Sequence, residues 1–342
     1  MSKKILVTGG TGFIGSHTVV ELINAGYVPV IVDNLSNSSI KILDQIEKIT
    51  GVVPEFYNFD LCDEKLTTEF VAKHADITGV IHFAAFKAVG ESVQKPLEYY
   101  RNNFYSLINL LTAYSKSKVN FVFSSSCTVY GQPDVLPVTE KAQVKKAESP
   151  YGNTKQISEE ILQEYSAVNP DLKVTSLRYF NPVGAHATAL IGELPIGVPQ
   201  NLVPFITQAA IGKREKLTVY GNDYDTSDGS CVRDYIHVVD LAKAHVAAIK
   251  RMEQQTEASN YEVFNIGTGK GSTVLEVINA FESVSGEKLN YVIGPRRAGD
   301  VEKVYGDVTK SSEELNWKTE LDINEMMRSA WAWEKYIQSN PL

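Results

Sequence analysis

Two side chains with acid–base chemistry, those of Tyr151 and Lys155, lie four positions apart. A spacing of four places both on one face of a helix. A phenol titrates near pH ~10 and is a poor base at neutral pH, but a nearby cation lowers its pKa. Ser149 and Pro150 are typical of a helix N-cap and first helical position, so Tyr151 would lie in the first turn, where the helix dipole also favours an anion. We therefore predict that Tyr151 is a phenolate base tuned by Lys155.

A glycine-rich run, residues 9–15, follows a short apolar segment and satisfies both the GxGxxG and the GxxGxxG pattern. Glycines at this spacing permit a tight turn, close approach of the backbone to a pyrophosphate, and close packing of helix against strand. The following helix N-terminus offers N–H groups and a favourable dipole to phosphates. We predict a dinucleotide site formed by Gly9, Gly12, Phe13, Ile14 and Gly15. A phenolate beside a nicotinamide ring would interconvert an alcohol and a ketone.

Asp33 ends the second predicted strand, near the ~20-residue offset at which an acid binds the ribose 2′-hydroxyl. A carboxylate there repels a 2′-phosphate, so NAD is expected rather than NADP. The alternative is an ordinary turn aspartate at the end of a strand. The other cofactor candidates at strand ends are Asn34, Asp60, Leu61, Phe83 and Ala84, of which the last two could serve packing alone.

Three consecutive serines, residues 124–126, close the fifth predicted strand at the carboxyl edge, where ligands bind in parallel sheets. Ser126 is the candidate hydrogen-bond donor to a reacting oxygen. Three hydroxyls could equally form a polar strand exit or caps. The tyrosine–lysine pair and the glycine loop favour the catalytic interpretation.

The elements that must position these residues alternate between strands and helices. We predict strands at Lys4–Thr8, Val28–Asp33, Glu55–Phe59, Gly79–Phe83, Asn120–Ser124, Lys173–Tyr179 and Glu262–Ile266. Helical patterns lie near 13–25, 39–50, 63–73, 94–116, 150–168 and 240–252. This order predicts an α/β fold, a doubly wound parallel sheet of the Rossmann type that binds NAD, with a smaller mixed α/β substrate domain.

Composition changes after residue 180. Residues 181–235 are rich in proline and glycine, as in loops and short helices of a substrate lobe, and 236–266 return to the helix–strand pattern. We predict an NAD-binding domain of residues 1–180 plus 236–266, and a substrate-binding domain of residues 181–235 plus 267–342.

The helix predicted at 94–116 is apolar nearly all round, so it must be covered on both sides. Burial within one chain is the simpler interpretation. Helices that flank a sheet normally expose one face, however, and we favour a homodimer in which this helix meets its symmetry mate.

Composition excludes several classes of protein. The 342 residues carry a net charge of -8 without a Lys/Arg-rich run, so neither nucleic acid nor a membrane surface is expected as a partner. The apolar stretch 5–7 is too short for a secretory signal, and three scattered cysteines fit a reducing compartment. We expect a cytoplasmic protein. The six histidines lack metal-ligand spacing, and no metal is expected.

Longer motifs make the chain resemble the extended short-chain dehydrogenase/reductase superfamily and, within it, the UDP-glucose 4-epimerase family. The resemblance spans essentially the whole chain and rests on residues 8–18, 87–92, 124–131, 151–155, 178–186, 201–202, 232–238 and 296–300. It implies a tightly held NAD that is not consumed. Tyr151 would take the proton of the sugar 4-hydroxyl while hydride leaves C4, and the 4-keto sugar would rotate and be reduced on its other face. Ser126 would hydrogen-bond the same oxygen, and Lys155 would hold the nicotinamide ribose.

The resemblance also assigns binding residues. Its further cofactor positions are Lys87, Asn102, Ser124, Tyr151, Lys155, Tyr179 and Phe180. Its UDP-hexose positions are Lys87, Ser126, Tyr151, Asn181, Asn201, Leu202, Val219, Tyr220, Arg233, Arg297, Asp300 and Val304. Two arginines suit a diphosphate, although each alone could form a surface ion pair.

Val304 stands where certain bacterial relatives carry a bulky tyrosine, which predicts that N-acetylated UDP-hexosamines are also accepted. A nucleotide-sugar 4,6-dehydratase is the nearest alternative, but Cys127 and Thr128 replace the Asp-Glu pair that dehydration requires. Epimerases of UDP-glucuronate or UDP-xylose remain alternatives. A non-catalytic NAD-binding sensor is a further one, but it would not need Ser126, Tyr151 and Lys155 together.

Overall fold

The computed structural model describes residues 2–254, 259–297 and 301–342. Its strands are β1 (Lys4–Thr8), β2 (Val28–Asp33), β3 (Glu55–Asn58), β4 (Ile77–His82), β5 (Val119–Ser126), β6 (Leu172–Tyr179), β7 (Asn181–Val183), β8 (Leu217–Tyr220), β9 (Val232–Arg233), β10 (Tyr235–His237), β11 (Tyr261–Ile266), β12 (Ser272–Thr273), β13 (Tyr291–Gly294) and β14 (Lys303–Val304). Its helices are α1 (Phe13–Asn24), α2 (Ile42–Thr50), α3 (Glu64–Lys73), α4 (Val89–Gln94), α5 (Pro96–Ala113), α6 (Pro150–Val168), α7 (Leu202–Ala210), α8 (Val238–Gln254), α9 (Val274–Ser285), α10 (Thr309–Glu314) and α11 (Ile323–Ser339).

The main sheet is parallel and has the strand order β11-β6-β5-β4-β1-β2-β3 within the described residues. Its central strands are continuous apolar runs, such as the fully buried Ile5, Leu6 and Val7 of β1, because helices cover both faces. The order reverses between β1 and β4, and ligands of such sheets bind at this switch point, beside the carboxyl ends of the strands. The predicted fold class is confirmed.

Each face of the sheet has its own apolar core. On one face, α1 and α8 pack together over residues such as Val19, Ile31 and Ile249. On the other, α3, α5 and α6 pack in sequence over residues such as Leu107 and Leu162. The helix that carries Tyr151 is therefore held between the sheet and α5.

A smaller α/β lobe stands beside the main sheet. Its apolar core joins α7, α9 and α11, with Ile206, Phe281 and Met327 almost completely buried. Short strands pair as β10-β7, β12-β9-β14 and β13-β8. Strand β11 joins β6 in the main sheet, and α8 packs against α1. The exact division into domains stays a prediction.

The helix expected at 94–116 is α5, which runs from Pro96 to Ala113 and follows the separate short helix α4. Lys95 separates α4 from α5, and Pro96 opens α5, because proline fits the first helical turn but not a helix interior. Helix α5 buries Tyr99 and Leu107, but Leu97 is 81% exposed and Tyr105 is 51% exposed. Its apolar surface is thus only partly covered within this chain.

In the described part of the chain, the helices all lack the length or the apolar character needed to cross a membrane.

Candidate active site

The predicted cofactor loop connects β1 to α1 at the carboxyl edge of the sheet. Gly9 has φ of +69°, a left-handed conformation that favours glycine. A Cβ on Gly15 would lie 2.2 Å from the Gly9 carbonyl oxygen, so only glycine lets the helix start this close to the loop. Gly12 is the N-cap of α1 and no side chain caps the helix. The first-turn N–H groups, at Phe13 and Ile14, are therefore available to a phosphate.

Asp33 lies at the end of β2 and joins the glycine loop to the next loop. Its Oδ2 accepts a hydrogen bond from Thr11 N at 3.2 Å, and its Oδ1 accepts from Leu35 N at 2.9 Å and Ser38 Oγ at 3.2 Å. A carboxylate has about four acceptor positions, so one remains for a ribose hydroxyl. The carboxylate also places negative charge where NADP would carry its extra phosphate.

The other cofactor candidates lie along the same edge. Asn34 Nδ2 donates to Asp60 Oδ2 at 3.2 Å, which joins the ends of β2 and β3. The backbone N–H of Ala84 donates to Thr8 Oγ1 at 3.3 Å. Leu61 and Phe83 pack into the two cores, and Asn102 lies beside Cys62. This edge, with its glycine cradle and its acid at β2, fits a dinucleotide.

The residues of the predicted catalytic cluster are brought together by β5 and α6. Helix α6 begins as predicted: Ser149 Oγ accepts from Gly152 N at 3.1 Å and Pro150 occupies the first turn. The Lys155 ammonium lies 5.9 Å from the centre of the Tyr151 ring and donates to the Ser124 carbonyl oxygen at 2.6 Å. The Ser126 hydroxyl lies close enough to the Tyr151 phenol to affect its pKa.

Ser124 and Tyr179, both predicted near the cofactor, lie beside this cluster. Their hydroxyls share a short hydrogen bond between neighbouring strands. Burial raises the pKa of Tyr179 above its usual range. Tyr179 therefore stays protonated at neutral pH and acts as a neutral hydrogen-bonding group.

The pKa of Tyr151 differs from the expectation. Burial raises the pKa of Tyr151 to about 12; the nearby Ser126 hydroxyl lowers this pKa and Cys127 raises it further. Burial also lowers the pKa of Lys155 to about 7, against an opposing effect of Glu159. Desolvation is therefore the largest effect on the pKa of the Tyr151 phenol. A phenolate forms readily only when the site holds more positive charge.

A buried ion pair joins α6 to β6 of the main sheet. Glu159, one turn after Lys155, accepts from Arg178 Nε at 2.9 Å and Nη2 at 2.5 Å, and from Ser125 Oγ at 2.5 Å. The guanidinium also lies 4.9 Å from the centre of the Tyr130 ring. Neither Glu159 nor Ser125 was singled out from the sequence. The spacing of four after Lys155 was the available signal.

Several substrate candidates lie in short strands outside the main sheet. Arg233 in β9 pairs with Val304 in β14, and it lies close enough to Cys127 to lower the pKa of that thiol, which burial raises to about 12. Val304 is buried in an apolar cluster with Phe180. The Asn181 N–H donates to the carbonyl oxygen of Asp234 at 2.9 Å, which fixes the start of β7.

Lys87 and Asn201 come from different lobes but share one acceptor. Glu193 Oε1 accepts from Lys87 Nζ at 3.4 Å and from Asn201 Nδ2 at 2.7 Å. Glu193 was not among the predicted residues. It follows Gly192 in a proline-rich and glycine-rich segment that offers no periodic signal.

The remaining candidates are more dispersed. Val219 is buried in the core of the small lobe. Tyr220 is 45% exposed, and the Arg297 guanidinium lies 5.9 Å from the centre of its ring. Leu202 opens α7 and packs on the same core. Asp300 lies outside the described residues.

Comparison with known proteins supports the inferred chemistry. A family model described as GDP-mannose 4,6 dehydratase matches residues 6–330. A UDP-glucose 4-epimerase from Haemophilus influenzae is 48% identical over 97% of both chains. The chain belongs to the UDP-glucose 4-epimerase family. The predicted family is thus confirmed.

Solved structures of this family agree with the fold in detail. The UDP-glucose 4-epimerase of Stenotrophomonas maltophila, with bound NAD and formylated UDP-arabinopyranose, has a TM-score of 0.95 and 45% identity over 99% of both chains. That of Bifidobacterium longum, in complex with NAD+ and UDP, has a TM-score of 0.93 and 47% identity over 99% of both chains. The dehydratase alternative is not favoured, since these full-length relatives are epimerases and Cys127-Thr128 offers no carboxylate.

Proposed function

We propose that Tyr151 carries out the proton transfers of a sugar 4-epimerisation, assisted by Ser126 and Lys155. The chain is an isomerase of the UDP-glucose 4-epimerase family that uses NAD to interconvert UDP-galactose and UDP-glucose. The observation that supports these roles is the convergence of the Tyr151 phenol, the Ser126 hydroxyl and the Lys155 ammonium at the carboxyl end of β5.

In this proposal, Tyr151 removes the proton of the sugar 4-hydroxyl and later returns it to the same oxygen. Ser126 donates to that oxygen and keeps it within reach of the phenol. Bound NAD supplies a store for the hydride of sugar C4 and, in its oxidised form, a positive charge that lowers the pKa of the phenol. Lys155, held by the Ser124 carbonyl oxygen, supplies a second cation.

The direct test is incubation of the purified protein with UDP-galactose, without added oxidant, and detection of UDP-glucose. Formation of UDP-glucose without net consumption of NAD is expected. Release of a 4-keto-6-deoxy sugar would instead indicate dehydration, and no turnover would contradict the assignment.

We propose that the pocket also accepts UDP-N-acetylhexosamines. Val304 is 8% exposed and lies beside Phe180 and opposite Arg233, where a larger residue would occupy the space of an N-acetyl group. The wild type is expected to convert UDP-N-acetylglucosamine, and V304Y to lose this activity while retaining UDP-galactose turnover. Failure of the wild type with the N-acetylated sugar would contradict the proposal.

We propose that two copies associate through α5. Leu97, Tyr105 and Ile108 are exposed, and the half-buried Tyr100 and Phe104 stack at 5.6 Å beside them. These positions recur at the helical spacing of one face, and an exposed apolar stripe indicates an interface. Light scattering should give the mass of a dimer for the wild type and of a monomer for L97E/I108E. A monomeric wild type would contradict the proposal.

We also propose that the enzyme acts in the cytoplasm. The three cysteines, Cys62, Cys127 and Cys231, are free thiols, which fits a reducing compartment. Cell fractionation tests this location.

A further inference from the structure

Glu193 is an acidic residue between two groups that we place in the UDP-sugar site. Its Oε1 accepts from the Lys87 ammonium, which follows β4 of the NAD lobe, and from the Asn201 amide, which precedes α7 of the small lobe. The Glu193 side chain is 12% exposed, whereas that of Lys87 is 48% exposed. One well-shielded carboxylate thus connects the two lobes.

The Asn201 side chain contacts Glu193 and does not cap α7. It is the N-cap residue of α7, but its side chain makes no capping hydrogen bond. Asparagine at an N-cap normally accepts from the N–H groups of the first turn. Here its amide is turned toward Glu193 at 2.7 Å instead. The N-terminus of α7 therefore lacks a side-chain cap, and the Asn201 side chain instead stabilises the position of Glu193.

The backbone of Glu193 is fixed from α11. Trp333 Nε1 donates to the Glu193 carbonyl oxygen at 2.8 Å. A Cβ on the preceding Gly192 would lie 2.4 Å from the Trp333 ring, so glycine is required for this packing. Gly192 also forms an antiparallel bridge with Ala185. The carboxylate therefore projects from a rigid support, as a positioning group requires.

A carboxylate near a diphosphate opposes binding by charge repulsion. Its contacts with an ammonium and an amide indicate that it orders these two groups instead. Lys87 is a flexible point charge, and without an acceptor its half-exposed ammonium would sample many rotamers. The amide of Asn201 would be free to turn back to its helix.

We propose that Glu193 is a positioning residue that holds Lys87 and Asn201 in the arrangement that receives the UDP-sugar. This inference rests on the proposed substrate site. Glu193 acts through its two partners and takes no part in proton or hydride transfer. Its loss should therefore weaken substrate binding and leave the chemical step almost unchanged.

The test compares E193A and E193Q in steady-state assays with UDP-galactose. Glutamine keeps an acceptor for Asn201 but removes the charge that holds Lys87, whereas alanine removes both. We expect the KM to rise about tenfold in E193A and about threefold in E193Q, with kcat within about twofold of the wild type. The content of bound NAD should stay the same.

Two comparisons separate positioning from a general structural effect. The exposed Glu98, in a 3.8 Å ion pair with Lys95, provides the matched control E98Q, whose KM should not change. In a double-mutant cycle, E193A should raise the KM less in the K87M background than in the wild type, because one of its two partners is already absent. A KM that stays constant or falls in both Glu193 variants, or effects of K87M and E193A that add fully, would overturn the proposal. An inactive wild type would instead refute the proposed function.

Discussion

The Glu159 carboxylate and the Arg178 guanidinium form a two-pronged ion pair, with side chains only 8% and 7% exposed, on the helix face that carries Tyr151 and Lys155. The pair joins α6 to β6, and Ser125 extends it to β5. Ser124 and Ser126 flank Ser125. The hydrogen bonds of Glu159 therefore hold α6, which carries Tyr151 and Lys155, against β5, which carries the serines.

Removing one partner of this pair should destabilise the fold strongly. In R178M the Glu159 charge stays buried without its counter-ion, and a cost of about 3–5 kcal/mol in the free energy of unfolding is expected. The double variant E159L/R178M should recover most of that loss, since no charge is left unpaired. Urea denaturation measures both.

The matched control is the exposed pair of Lys243 and Glu320, which are 2.6 Å apart. K243M should cost no more than about 1 kcal/mol, because solvent screens such a pair. If R178M and K243M lower the free energy of unfolding equally, the buried pair contributes no more to stability than the exposed one.

Replacing Tyr151 with phenylalanine should remove the proton carrier and preserve the shape of the site. We expect kcat to fall by about a thousandfold, within the usual range for acid–base groups, with NAD still bound at the wild-type level. Y165F, on the same helix and with its hydroxyl 3.4 Å from the Leu111 carbonyl oxygen, should keep full activity. A fully active Y151F would mean that another group is the base.

The local features of the site could be predicted from the sequence. The Ser149 cap, the start of α6 and the strand ends at Thr8 and Asp33 depend on neighbouring residues, and local propensities and caps decide them. The depth of burial could not be predicted. The spacing of Tyr151 and Lys155 indicated a cation near a phenol but not the desolvation that raises the phenol's pKa to about 12.

Contacts between segments far apart along the chain could not be predicted from the sequence either. Glu193 lies 106 positions from Lys87 along the chain, and only the packing of one lobe against the other brings them together. A lone glutamate in a segment without periodicity is indistinguishable from a solvated surface residue. Glu159 was nearer to prediction, because its place one turn after Lys155 marks the same helical face.

Replacing Gly15 with alanine should eliminate cofactor binding. The new Cβ would meet the Gly9 carbonyl oxygen at 2.2 Å, and a backbone atom cannot move away without opening the loop. The purified G15A protein should carry less than a tenth of the wild-type NAD, read from absorbance after denaturation. In G26A the added Cβ meets nothing within 4 Å, although φ is +84°. That control should lose some stability and keep its NAD.

The buried histidines should make the enzyme sensitive to mild acid. Burial lowers the pKa of His17 and His82 to about 3, and that of His237 and His245 to about 4. In the unfolded chain a histidine titrates near pH ~6.5. Below that pH the unfolded state binds more protons than the folded state, so stability is fully present above pH ~6.5 and is lost as the pH falls toward about 3 to 4.

Each of these histidines should contribute a slope of up to about 1.4 kcal/mol per pH unit to the free energy of unfolding. The measurement is urea denaturation between pH 7 and pH 5 at a constant excess of NAD. His245 is the best position for a variant, because its ring contacts those of Phe83 and Tyr179 at 4.7 and 5.9 Å. H245F keeps a ring at this position and removes the titrating group. The free energy of unfolding of H245F should therefore depend less steeply on pH than that of the wild type, by the contribution of one histidine. A slope equal to that of the wild type would show that His245 does not titrate on unfolding.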